Sequence, residues 1–179
     1  KRNYVAQANE AVIQLLYFDG KFEHEGVLGF AKDSDLIVLF RPELDLCKQS
    51  PLPEKAQEAL GTLCNRPRAE ENCGSRVAAA FAEKLCDMQE GSTLVHEIGH
   101  AMGLVNDGTP MVTDHQDKEN GAHDSSKECI MYWLAEDKSY VTELRESLVT
   151  QCPSGDYLSC EVQITQFDAA CLNDMRGVQ

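Results

Sequence analysis

Apolar residues at Tyr4, Ala8, Ala11, Leu15 and Phe18 recur at the three-to-four residue spacing of a helix, and Val5, Val12 and Leu16 widen the same stripe. The pattern predicts an amphipathic helix over residues 4–18. The polar, glycine-bearing stretch FDGKFEHEG breaks it, and two short apolar runs follow, VLGFAK and DLIVLFR, which read as strands joined by a turn at residues 32–35. Pro42 ends the second run. In SPLPEKAQEALGTLC, Ser50 stands as an N-cap and Pro51 in the first turn of a predicted helix. NRPRAEENCG reads as a loop, after which Val77, Phe81, Lys84, Leu85 and Met88 trace one side of another helix. Gly91 predicts its end, with Ser92 or Thr93 capping a fresh helix that stops at Gly103. Residues 106–128 are polar and rich in Asp, with Gly108, Pro110 and Gly121, the pattern of a long loop kept for function. CIMYWLAE restores apolar character, a helix is predicted over residues 139–150, and ITQFDAACLNDMRG reads as a closing helix.

Helices interrupted by a few short strands, with no internal repeat, predict an α+β fold, and 179 residues suit a single domain spanning residues 1–179. Thirty acidic against 16 basic residues give a formal charge of -14. Phosphate backbones and anionic lipid surfaces are repelled by such a chain, so nucleic acid and membrane are excluded as expected partners; nothing in the sequence fixes an oligomeric state. No apolar run approaches the roughly 18 residues that span a bilayer, and the opening KRNYVAQANEAV lacks the apolar centre of a signal peptide, as in a mature or trimmed product. The eight cysteines contain no C-x-x-C pair. They predict a disulfide-stabilised protein of an oxidising, extracytoplasmic compartment, secreted or periplasmic, although four bridges permit about 105 pairings.

The chemistry gathers in LVHEIGHAMGLVNDGTP. On a helix, His96 and His100 are four residues apart and share one face, so both imidazoles can address one metal ion. Glu97, one position round, falls beside such an ion, where it can take a proton from water. Local sequence leaves the third ligand open. His123 and His115 both lie in the following loop, and a carboxylate such as Asp107, Asp114 or Glu136 is an acceptable third partner for two histidines. Asp114, Asp117, Glu119 and Asp124 offer oxygen donors for calcium, but without a calcium-loop spacing, and solvated acids are the plainer reading. His24 reads as a surface histidine.

HEIGHAMG resembles the start of the metzincin zinc-peptidase signature, with Gly103 at the matching glycine. Asn106 stands where that signature places its third histidine, with Asp107 next. HDSSKECIMYW resembles the stretch leading into the methionine turn of matrixin-like members: His123 precedes Met131 by eight residues, and Tyr132 follows the methionine. The interval between the two matches is lengthened by LVNDGTPMVTDHQDKENGA. Residues 94–133, which carry the whole likeness, are also similar to bacterial secreted metzincin-like proteins with a lengthened loop before the third ligand. The resemblance implies a metzincin-like zincin, with a small mixed sheet, an active-site helix and a C-terminal helix. It implies zinc on His96, His100 and His123, Glu97 as general base, and Met131 as an apolar floor under the metal. It further implies a zinc-dependent endopeptidase whose edge strand, here VLGFAK or DLIVLFR, pairs with an extended protein or peptide substrate. Members of the family open with a strand before their first helix; this pattern opens on a helix, with two strands before the metal motif, and predicts a reduced sheet. The alternatives are a secreted, non-catalytic zinc-binding or interaction module on the same scaffold, and a disulfide-rich interaction protein without metal.

Overall fold

The computed structural model describes residues 12–20, 26–65, 72–157 and 159–177. Three strands precede the helical part of the chain: β1 (Gln14–Phe18), β2 (Gly29–Lys32) and β3 (Leu36–Phe40). They form one sheet in the order β1-β3-β2, with β1 parallel and β2 antiparallel to the central β3. The turn between β2 and β3 uses Asp33 in the left-handed region, at φ 56°, where a short polar side chain is tolerated.

β1 corrects the expected helix over residues 4–18. Gln14–Phe18 is a strand in register with β3, Leu16 facing Val38, while residues 4–11 lie outside the described residues. The consecutive apolar run at residues 15–18 satisfies a strand as readily as a helical stripe. The free edge of β3 decides between them, since it offers the backbone a full set of hydrogen-bond partners. The Tyr17 hydroxyl donates to Glu90 and ties β1 to the helix beneath. Among the described residues three strands therefore precede the metal motif, not two.

Past β3, a short helix α1 (Arg41–Leu44) and a 3₁₀ turn (Asp45–Gln49) lead to α2 (Glu54–Cys64). Ser50 does not cap α2; Pro53 occupies the N-cap, with no side-chain cap bond. Proline at position 53 disfavours helical geometry at Leu52, which keeps residues 51–53 outside the helix. α3 (Cys73–Ala101) then runs unbroken for 29 residues. The predicted break at Gly91, with a new cap at Ser92 or Thr93, is absent. Val77, Phe81, Leu85, Met88, Ser92, His96 and Gly99 form one continuous buried stripe through the glycine, and tertiary packing along it outweighs the roughly 1 kcal/mol that glycine costs in a helix. Thr93 is buried and its hydroxyl donates to the Ala135 carbonyl at 3.2 Å. A 3₁₀ turn (Trp133–Glu136), α4 (Tyr140–Gln151) and α5 (Ala169–Gly177) complete the fold.

Two apolar clusters flank α3. The smaller, Leu28, Ile37, Leu39 and Leu44, packs the sheet against Leu94 and Ile98. The larger joins α3 to α4, α5 and the loop strands around Phe81, Leu85, Met88, Ile130, Met131 and Leu148. The molecule is thus α+β, with α3 as its axis. Disulfides Cys47–Cys86, Cys64–Cys73 and Cys152–Cys160 brace the helical half, while the thiols of Cys129 and Cys171 lie buried with their sulfurs 3.4 Å apart. No described helix is long and apolar enough to cross a membrane.

Candidate metal centre

The last turns of α3 carry His96, Glu97 and His100, all facing the protein rather than solvent: His96 and Glu97 are 0% exposed. α3 ends at Met102, and Gly103 adopts φ +74°, which turns the chain away before Val105 and Asn106 continue in the same left-handed region. Thr109 closes this turn, its amide donating to the Gly103 carbonyl and its hydroxyl to the Met102 carbonyl, each at 2.8 Å. The loop then returns through an antiparallel bridge between Gln116 and Asp124. Its cross-links, Asp117 N–H to the His123 carbonyl at 2.7 Å and Ser125 N–H to the His115 carbonyl at 2.9 Å, set His123 over the end of α3.

Three imidazoles meet there. His100 Nε2 lies 3.0 Å from His96 Nε2 and 3.3 Å from His123 Nε2. His96 Nδ1–H donates to the Ile130 carbonyl at 2.7 Å, and His123 Nδ1–H to the Asn120 carbonyl at 2.6 Å. Those two bonds place the ring protons on Nδ1 and turn the Nε2 lone pairs toward one another. Facing lone pairs repel, and a cation between them removes the repulsion. Donors bound tetrahedrally to one zinc at about 2.0–2.1 Å stand roughly 3.3–3.4 Å apart, close to the spacings found. The side chains His96, His100, His123 and Glu136 form a group able to hold a metal ion, and the imidazole-rich donor set suits zinc or a neighbouring transition metal rather than calcium.

Burial, reinforced by the neighbouring imidazoles, holds the His96 pKa well below its ordinary value and lowers that of His100. Both rings are therefore neutral near pH 7, the form a metal requires. Burial also acts to lower His123, but the Glu136 carboxylate and the Asn120 carbonyl outweigh it, and its pKa is raised. Glu97 is pushed up to about 8 by burial and then by the charge of Glu136, which the nearby Ala31 backbone only partly offsets. Neither Glu97 oxygen has a side-chain hydrogen-bond partner. Met131 packs beneath the helix against Gly99, where any Cβ would collide with the Met131 sulfur.

The other sequence candidates sit elsewhere. His115 lies outside the imidazole cluster: its Nδ1–H donates to Asp124 at 2.6 Å and its Nε2–H to Asp174 at 2.8 Å. Asp114 is exposed and pairs with Lys118 at 3.0 Å. Asp107 is exposed on the wall of a cleft of about 570 Å³ that opens beside His100 and is lined also by Ala31, Asp33 and Ser34. The loop acids weighed for calcium do not converge; Asp117 accepts from Asn120 and from the Glu119 amide, and Asp124 from His115 and the Ser126 amide. His24 lies outside the described residues.

Glu136, weighed in the sequence only as a replacement for His123, stands at the site together with it. The only sequence signal for that position is five residues of spacing from Met131. Asp174, which fixes His115 across 59 residues of chain, has none. No protein-family model, curated protein or solved structure matches the chain.

Proposed function

We propose that this protein is a zinc-dependent endopeptidase of extended peptide substrates, with His96, His100 and His123 holding the zinc and Glu97 as general base. The observation that carries the reading is Glu97: a fully buried carboxylate with no side-chain hydrogen-bond partner, one residue from a member of the imidazole cluster. A buried carboxylate so sparsely hydrogen-bonded is costly unless its position serves another purpose. Its raised pKa, about 8, brings it into the range where a carboxyl group both accepts and releases protons near neutrality.

Zinc, when bound, supplies a Lewis acid that polarises a peptide carbonyl and makes water nucleophilic near neutral pH. Glu97 takes the proton of the attacking water and delivers it to the leaving amine. His96 and His123, anchored by backbone carbonyls, keep their Nε2 atoms directed at the centre. β2 is an edge strand whose residue Ala31 borders both Glu97 and the cleft beside His100. A substrate strand added to that edge gains backbone hydrogen bonds that do not depend on its side chains.

The test is cleavage of an unselected peptide mixture by zinc-loaded wild type and Glu97→Gln, read by mass spectrometry. Cuts made by the wild type, reduced by about 10²-fold or more in the variant, with equal zinc content in both, are expected. A wild type that retains zinc and cuts nothing favours the non-catalytic zinc module instead.

A further inference from the structure

We infer that Glu136 is the fourth side chain of the metal centre, a carboxylate that closes the resting site and swings aside when substrate arrives. The inference rests on the metal-site reading above and adds a ligand and a gate to it. Glu136 Oε1 lies 3.5 Å from His123 Nε2, and Oε2 lies 3.8 Å from His96 Nε2. One ligand atom from each of the four side chains falls within 4.8 Å of all the others. Tetrahedral partners of one zinc, at about 2.0–2.2 Å from it, stand roughly 3.3–3.5 Å apart. The carboxylate thus faces two of the three imidazole nitrogens, one oxygen to each, at close to the spacing of shared ligands.

Its backbone is held in place from two sides. The Leu28 amide donates to the Glu136 carbonyl at 2.8 Å, and the Thr93 hydroxyl to the Ala135 carbonyl at 3.2 Å. The side chain, by contrast, is 29% exposed, and its ion-pair partners among the described residues are His96 and His123. A fixed main chain with a partly solvated carboxylate permits a rotation outward without moving the turn. Charge favours the inward position once a metal is bound. Three neutral imidazoles leave both charges of a divalent cation uncompensated in a poorly solvated pocket, and one carboxylate removes half of that excess.

Closure has a consequence for the reaction. With Glu136 in the fourth position, a bound zinc would lack the open position that catalytic sites keep, and Glu136 would have to yield or share that position before Glu97 had a water to deprotonate. Entry of the peptide along β2 supplies both the competing oxygen ligand and the space.

Cobalt(II) reports this directly, since its visible absorption is strong in a four-coordinate site and weak in a five- or six-coordinate one. The metal-free protein would be titrated with cobalt(II) alone, for wild type, Glu136→Gln and Glu136→Ala, with affinity read by competition against a chelator. The wild type is expected to give a strong four-coordinate band. Both variants are expected to shift that band and to lose at least about tenfold in affinity, and added acetate to restore the wild-type band in Glu136→Ala. Unchanged band and affinity in both variants would overturn the inference while leaving the three-histidine site intact. A wild type that takes up no cobalt would overturn the metal centre itself and Glu136 with it. Far-ultraviolet circular dichroism of each variant guards against loss of fold, and Glu136→Gln keeps the side-chain volume.

Discussion

His115 and His123 sit eight residues apart in one loop, and their surroundings give them opposite chemistry. His123 donates one ring N–H to a neutral backbone carbonyl and presents its second nitrogen to two other imidazoles. His115 has a carboxylate on each nitrogen, from Asp124 and Asp174, both fully buried. A ring whose two nitrogens both donate to carboxylates is a cation with no lone pair to offer. It acts as a clamp, joining the loop to α5. A ring with one neutral acceptor keeps its other nitrogen as a base, free to serve as a ligand. Proximity in sequence therefore says little about which histidine meets a metal; the partner of the far nitrogen decides.

Exchanging the two roles by mutation gives the largest expected effects. His123→Ala should weaken metal binding by more than the roughly 10–100-fold that follows loss of an outer partner of a ligand. The melting temperature of the metal-free form should change little. His115→Ala leaves two buried carboxylates facing each other without their cation, a loss of about 3–5 kcal/mol, visible as a lower melting temperature with or without metal. Metal content by mass spectrometry and melting by calorimetry separate the two. If His115→Ala emptied the site while His123→Ala left it filled, the assignment would be reversed.

A smaller effect follows from pH. Burial works to lower the His115 pKa, but the hydrogen bonds from Asp174 and Asp124 outweigh it and raise the value above that of an unfolded histidine. The protonated clamp therefore contributes its full stability below about pH 6.5, the ordinary histidine pKa, and loses it as pH rises through the raised value. The difference in melting temperature between wild type and His115→Gln should shrink as the solution becomes alkaline. A difference that grows instead would mean a neutral His115.

The smallest effect is expected at Asp114. Its carboxylate is exposed and pairs with an exposed lysine, an arrangement worth little in water. Asp114→Ala should leave metal content and melting temperature where they were; a loss of metal would make Asp114 a ligand.

What could be read from the sequence divides along the same line of local against distant partners. The spacing of His96 and His100 is a property of one helix turn and needs no tertiary knowledge. The pairing of His123 with Met131 was legible because both lie on one short segment, where the Asp124 amide bonds the Met131 carbonyl at 2.8 Å. The strands β2 and β3 and helices α4 and α5 likewise carried their own patterns. β1 did not, because its apolar run fits two periods and only the vacant edge of β3 selects one. Gly91 misled for the converse reason: a strong local breaker sits inside a stripe that packs on both sides of it. Glu136 was legible only as a carboxylate that could replace His123; its place beside His123, and the clamp of His115, were not, being contacts between segments that sequence leaves unordered.

The clamp also sets an order of events. His96 and His100 are made early, yet the loop bearing His123 is secured by Asp174 in α5, near the end of the described chain. A chain in which α5 has not yet docked lacks that anchor, and the loop carrying His123 keeps only its own backbone cross-links. A metal centre that used His123 would thus be held by a looser loop until α5 docks.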